Sequence, residues 1–171
     1  MVQIDKSDVL YKYLTGLGID DADAVYLELA ENGRYKLNDV RQYFREIFTP
    51  SQTENISEEE LEKVVDYYTD LKSLKKLTNA EIKKLLSDYK SGKLEVKELI
   101  INSQLKDVLF MCLNYSTLHK DVDIQDLIQI ASIGLIEAIE KYNEAAKIEF
   151  IDYVVYYVRK NIKEFEEKTN G

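Results

Sequence analysis

Aromatic and basic side chains alternate from about residue 148 to 167, in a segment that has the apolar spacing of a helix. Its apolar stripe steps by four, three, four and three residues through Ile151, Val155, Val158, Ile162 and Phe165. At about 100° per residue, Tyr153, Tyr156, Tyr157 and Lys160 point away from this stripe, and Phe150, Arg159 and Lys163 flank them. We name these seven residues the ring face. Exposed rings stack on unpaired bases for about 1–3 kcal/mol each and cations hold phosphates, so this face predicts binding of single-stranded nucleic acid.

A structural interpretation of the ring face is also open. In it, Phe150 and Tyr157 belong to the hydrophobic core and only Tyr156 is exposed, so that base stacking is lost. Periodicity alone favours this interpretation for a helix taken in isolation.

The preceding segment, from about residue 123 to 142, predicts a helix with two apolar faces. One is a continuous buried stripe, which comprises Ile124, Leu127, Ile128, Ala131, Leu135, Ala138, Ile139 and Tyr142. The isoleucines Ile130 and Ile133 lie on a different face, where polar side chains frame them. We name this second set the isoleucine face: Asp126, Gln129, Ile130 and Ile133. An apolar pair with a polar rim suits a helix of another protein, although a neighbouring helix of the same chain is the alternative cover.

The elements that position these faces are predicted to be helices throughout, because the chain has one proline, six glycines and abundant Leu, Ile, Lys and Glu. Capping boxes at Ser57 with Glu60 and at Thr78 with Glu81 mark two helix starts. The predicted helices are 58–73, 79–91, 94–118, 123–142 and 148–167, preceded by short amphipathic segments at 7–16, 21–31 and 37–48. We therefore predict an all-α protein with a small acidic helical domain at 1–49, a linker at 50–56 and a second helical domain at 57–171.

Charge is distributed unevenly along the chain. Residues 1–70 hold 16 acidic and 7 basic side chains, whereas residues 71–171 hold 16 of each, so the net charge of -9 lies in the first part. An acidic first part repels nucleic acid, but the neutral second part can bind it through a local patch.

Several classes of protein are disfavoured by what the sequence lacks. One cysteine and one histidine rule out a metal site of the Cys/His type. Paired carboxylates, an activated nucleophile and a phosphate-binding loop are not recognisable, so we predict neither an enzyme nor a cofactor. The chain has no apolar run of membrane-spanning length and no signal peptide at its start, so we expect it in the cytoplasm.

The two faces lie in a segment that resembles bacterial RNA polymerase sigma factors of the housekeeping (sigma-70) family, in regions 1.2 to 2.3 only. The resemblance is ungapped and covers about residues 60–165. Its strongest matches are Asp126-Leu127-Ile128-Gln129, Ile133-Gly134-Leu135-Ile136, Ala138, Glu140-Lys141, Phe150, Tyr153 and Val158-Arg159. The resemblance implies a helical bundle like sigma region 2 and a role in transcription initiation.

The resemblance also implies a partner for each face. The isoleucine face corresponds to the surface that binds the coiled coil of the polymerase clamp, which makes Asp126, Gln129, Ile130 and Ile133 candidate contacts. The ring face corresponds to the motif that captures bases of the single-stranded non-template strand of the promoter minus-ten element. Its aromatic positions are Phe150, Tyr153, Tyr156 and Tyr157, and its basic positions are Arg159, Lys160 and Lys163. Lys106 matches a further basic position near that strand.

Departures from the family pattern point to an alternative function. The family usually has an acid and a glycine where this chain has Ile130 and Ala131, and tryptophans at the positions of Tyr156 and Tyr157. Glu149 stands where the family commonly has a basic residue, and Asp152 stands where it has a small hydroxyl residue. Both acids add repulsion next to phosphates. No helix-turn-helix for the upstream promoter element follows. Three explanations are open: a trimmed chain, a truncated gene, or one half of a split sigma factor whose partner protein supplies that domain. The alternative is therefore a sigma-like adaptor or decoy that binds polymerase or a sigma partner without reading DNA.

The acidic amino-terminal segment suggests a further hypothesis. By its charge alone, it is expected to mask the DNA-binding face until polymerase binds. The net charge also disfavours a free single-strand-binding protein.

Overall fold

The computed structural model describes residues 3–34, 36–48, 77–119 and 121–170. These residues form helices and short connections and contain no strand, which confirms the predicted all-α class. The helices are α1 (Val9–Gly16), α2 (Ala22–Glu31), α3 (Leu37–Arg45), α4 (Asn79–Lys90), α5 (Lys97–Leu118), α6 (Ile124–Lys141) and α7 (Phe150–Asn170). Single 3-10 turns at Glu46–Phe48, Leu94–Val96 and Glu144–Ala146 complete the described elements. The predicted helix at 58–73, the linker at 50–56 and the capping box of Ser57 and Glu60 lie outside the described residues.

The starts of the later helices follow from their capping residues. The Thr78 side chain accepts from the backbone N–H of Glu81, and the Glu81 side chain accepts from that of Thr78, which confirms the predicted capping box. Asp123 caps α6 by accepting from the backbone N–H of Gln125 at 2.8 Å. These caps place the starts of α4 and α6 within about one residue of the predicted positions.

Helices α6 and α7 form the antiparallel pair at the centre of the molecule. Tyr142, directly after α6, packs edge-on against Phe150 at the start of α7, and Glu137 of α6 accepts from both Lys160 and Asn161 in the middle of α7. The two helices cross closely at Gly134, where a Cβ atom would lie 2.7 Å from the carbonyl oxygen of Tyr157 and from the Cα of Val158. Only glycine permits this approach of the two backbones.

Helix α5 packs on α6, and α3 packs on α7. Helix α1 packs on α2 and accepts hydrogen bonds from α7 at its carboxyl-terminal end. Side chains from all of these helices, including Leu14, Phe44, Leu109, Leu135 and Tyr157, belong to one cluster of buried residues. The acidic amino-terminal segment is therefore joined to α7 by apolar packing. Within the ranges given above, no helix is both long and apolar enough to cross a membrane.

Candidate functional site

The four rings of the ring face are buried, and the expectation that they are exposed is wrong. Their exposed fractions are 6% for Phe150, 0% for Tyr153, 7% for Tyr156 and 1% for Tyr157. The structural interpretation is also incomplete, because it left Tyr156 exposed. The physical reason is that α1 and α3 contact Tyr153, Tyr156 and Tyr157, which thereby gain partners from a remote part of the sequence. Phe150 instead packs edge-on against Tyr142, directly after α6.

The contacts with α1 are made by two tyrosine hydroxyl groups. Tyr153 Oη donates to the carbonyl oxygen of Gly16 at 2.8 Å, and it accepts from the backbone N–H of Asn143 at 3.3 Å. Tyr157 Oη donates to the carbonyl oxygen of Leu17 at 2.7 Å. Both hydroxyls are thus satisfied inside the protein, as buried polar groups normally are.

Burial of the rings predicts a loss of stability at alkaline pH. Burial raises the pKa of Tyr156 to about 12 and raises the pKa values of Tyr153 and Tyr157 above the ordinary value of 10.0. The folded state therefore favours the neutral phenols; this stabilisation is fully present below about pH 10 and is lost as the pH rises through the folded values. For Tyr156 the loss is about 2–3 kcal/mol. We expect tyrosinate absorbance to rise together with loss of helical circular dichroism; ionisation of all tyrosines near pH 10 with intact helices would contradict the burial.

The contacts with α3 are made by an aromatic pair and by a buried carboxylate. Phe44 packs edge-on against Tyr156, with ring centroids 5.2 Å apart. Asp152 is 6% exposed and accepts from Arg41 Nε at 3.0 Å and from Arg45 Nη2 at 2.8 Å. We name this ion-pair group the latch: Asp152, Arg41 and Arg45. Asp152 is therefore paired with two arginines inside the protein, which the comparison of its position with the family pattern did not predict.

The basic residues of the ring face have different surroundings from one another. The Arg159 guanidinium carbon lies 4.8 Å from the centre of the Tyr43 ring and 5.4 Å from that of Phe44. Lys160 Nζ donates to Glu137 at 3.1 Å, whereas Lys163 is half-buried. Lys106 is exposed on α5. The structure thus brings Arg159 and Lys160 into internal contacts and leaves Lys106 open to solvent.

A cavity of about 370 Å³ lies where α4 and α5 meet the start of α7. Its lining is mixed and includes Ile82, Lys83, Ser103, Gln104, Asp107 and Phe150. The sequence pattern did not predict this cavity. Gln104 in the lining is a polar side chain that is only 5% exposed, which is unusual within a helix. The sequence alone does not indicate this burial.

The isoleucine face is mostly open to solvent in the structure. Ile133 is 59% exposed, and Ile136, one turn further along α6, is 39% exposed. Asp126 and Gln129 are exposed as well, whereas Ile130 is half-buried and packs against the core. An exposed isoleucine beside polar side chains is a candidate contact for another protein.

The segment that carries both faces is similar to parts of known proteins. Residues 100–168 match the family model of sigma-70 region 2. A protein of Bacillus thuringiensis subsp. kurstaki named as an RNA polymerase sigma-G factor is 28% identical over 101 residues, which are 59% of this chain and 79% of that protein. The RNA polymerase sigma-C factor of Myxococcus xanthus is 26% identical over 97 residues, which are 57% of this chain and 32% of that factor. No solved structure matches the chain.

These similarities support a sigma-like protein, and they locate both faces within the region 2 match. The isoleucine face and the ring face fall between residues 100 and 168, whereas α1–α4 precede the matched segment. The match to region 2 does not distinguish the housekeeping subtype, which stays a prediction from the sequence pattern.

Proposed function

We propose that this chain is a sigma-like transcription initiation subunit that binds core RNA polymerase through the isoleucine face of α6. The observation that carries this proposal is the 59% exposure of Ile133 within a segment that matches sigma-70 region 2. Neighbouring exposed apolar side chains with a polar rim mark sites of protein interaction, and Ile136 lies one turn from Ile133 on α6. Asp126, Gln129 and Ile130 complete the proposed contact with the polymerase clamp.

The polymerase contact is tested by the double variant Gln129→Ala and Ile133→Asp. We expect recovery of core polymerase in a pull-down to fall at least about tenfold, because a central apolar contact is replaced by an unpaired charge. The free protein should remain folded, since both side chains are exposed in it.

Leu94→Asp is the matched control for this experiment. Leu94 is 67% exposed and lies on the 3-10 turn before α5, so that the same chemical change is made away from the isoleucine face. Equal recovery of polymerase by the double variant and by the wild type would refute the proposed contact. A loss of the same size with Leu94→Asp would refute its location.

We further propose that the ring face binds bases of the single-stranded non-template strand of the minus-ten element after α1–α3 have moved away. The latch and the hydrogen bonds of Tyr153 and Tyr157 support this order of events, because they close the face in the free chain. The negative charge of the amino-terminal segment adds repulsion of phosphates while it remains in place. In this proposal Phe150, Tyr153, Tyr156 and Tyr157 stack on bases, and Arg159, Lys160, Lys163 and Lys106 contact phosphates. The cytoplasm is the compartment in which these partners occur.

A second candidate function is a polymerase-binding adaptor or decoy that does not read DNA. Burial of all four rings favours it, since bases cannot stack on rings that belong to the core. Transcription in vitro with core polymerase and a minus-ten promoter separates the two candidates. A promoter-specific product supports the initiation subunit, whereas inhibition of another sigma factor without a product of its own supports the adaptor.

A further inference from the structure

Arg159 of α7 lies against two aromatic rings of α3. Its guanidinium carbon is 4.8 Å from the centre of the Tyr43 ring and 5.4 Å from that of the Phe44 ring. Because both rings belong to α3, the guanidinium lies in the contact between α3 and α7. It is therefore a part of the cover of the ring face that the latch does not include.

The guanidinium of Arg159 is not satisfied in this contact. Its Nε atom is buried and has no hydrogen-bond partner, and in the described part of the chain the guanidinium forms no ion pair. Removing a charged donor from water without giving it an acceptor is costly. Attraction to the two rings offsets only part of this cost, because the face of a ring is a weaker acceptor than water or a carboxylate.

The neighbouring charges do not remove this cost. The guanidinium carbon of Arg34 lies 4.5 Å from the centre of the same Tyr43 ring, so a second positive charge is close by and adds repulsion. Glu137 of α6 accepts from other side chains of α7 rather than from Arg159. The cost of burying the Nε donor is therefore borne by the covered arrangement.

The latch is the opposite case within the same contact. Asp152 lies seven residues before Arg159, which is about 10 Å along α7. There it accepts from both Arg41 and Arg45 of α3. The contact thus has a paired half at Asp152 and an unpaired half at Arg159. Separation of α3 from α7 breaks the latch, but it also gives the guanidinium of Arg159 access to water.

We propose that Arg159 destabilises the covered arrangement and acts against the latch, so that α3 can be released from the ring face. Its guanidinium is better satisfied by water or by a strand phosphate than by α3. A group with such a difference between two states shifts the equilibrium between them. This inference rests on the proposed uncovering of the ring face, and it adds the residue that favours the uncovered state.

Hydrogen exchange of the free full chain, followed by mass spectrometry of α3 peptides, tests this role with Arg159→Met. Methionine keeps a long flexible side chain against the rings and removes the buried charge, and such replacements are often stabilising. We expect α3 to exchange about tenfold more slowly than in the wild type, because an unsatisfied charged donor is removed. The melting temperature should rise by about 2–4 °C. Arg41→Gln should change both quantities in the opposite direction, since it removes a satisfied contact.

Lys168→Met is the matched control, because it makes the same change of charge at an exposed side chain of α7. It should leave the exchange of α3 unchanged, and slowing equal to that of Arg159→Met would overturn the proposal. Unchanged or faster exchange of α3 in Arg159→Met would also overturn it, and would make the ring contacts of Arg159 part of what holds α3 in place. Exchange of α3 in the wild type at the same rate as α6 would mean that α3 does not separate from α7 on its own. That result would contradict the proposed uncovering and, with it, the role of Arg159.

Discussion

The variant Arg41→Gln is expected to bind a single-stranded minus-ten oligonucleotide about tenfold more tightly than the wild type does, although it carries one positive charge fewer. Arg41 donates to both carboxylate oxygens of Asp152, at 3.0 and 3.3 Å, and its removal takes away a charge-assisted contact that holds α3 over the ring face. Such contacts contribute about 1.5–3 kcal/mol, and about 1.4 kcal/mol is tenfold in an equilibrium constant. The measurement is fluorescence anisotropy of the labelled strand with the full chain at low salt.

The direction of the change in affinity distinguishes release of α3 from the ring face from a direct electrostatic effect of the lost charge. Loss of a positive charge on its own weakens binding to a polyanion. Lys36→Gln makes the same charge change outside the latch and is expected to weaken binding slightly. If Arg41→Gln also weakens binding, or leaves it unchanged, α1–α3 do not control access to the ring face. That result would favour the adaptor function, in which the rings are core residues only.

Replacing Gly134 by alanine is expected to lower the free energy of unfolding by about 1–3 kcal/mol. The new Cβ would lie 2.7–2.8 Å from backbone atoms of Tyr157 and Val158, closer than side-chain Cβ atoms are found to neighbouring atoms. The neighbours are backbone in the middle of α7, so they cannot rotate away, and the two helices have to separate. Urea denaturation followed by circular dichroism measures the change.

Gln129→Ala is the control for this substitution, because it lies on the exposed side of the same helix. Its effect should stay within about 0.5 kcal/mol, as for other surface changes. A Gly134→Ala variant as stable as the wild type would mean that α6 and α7 do not cross at the distance described.

The fold class and most helix positions could be predicted, because they depend on local sequence. Apolar spacing and capping residues lie within a few positions of each other, and the described helices α4, α6 and α7 begin close to their predicted starts. The buried face of α6 was predicted from its spacing, and Leu127, Leu135 and Ile139 are indeed buried. The proposed domain boundaries stay a prediction, since the linker lies outside the described residues.

The surroundings of the ring face could not be predicted, because they depend on contacts between residues more than a hundred positions apart. Helix α7 has two stripes of large side chains, and its sequence does not say which remote helix covers the second one. Asp152 illustrates the difficulty. Beside phosphates it is a repulsive charge, whereas beside Arg41 and Arg45 it is a stabilising partner, and only the position of α3 decides between these effects.

The tyrosines of the ring face also complete the end of a helix to which they do not belong. The last carbonyl groups of an α-helix have no partner within the helix, and α1 ends at Gly16. The hydroxyls of Tyr153 and Tyr157 act as a C-terminal cap in trans for the carbonyls of Gly16 and Leu17. A tryptophan, usual in the family where Tyr157 stands, has no hydroxyl to reach that carbonyl. Release of the rings would therefore fray the last turn of α1, so that uncovering α7 and partial melting of α1 become a single cooperative event.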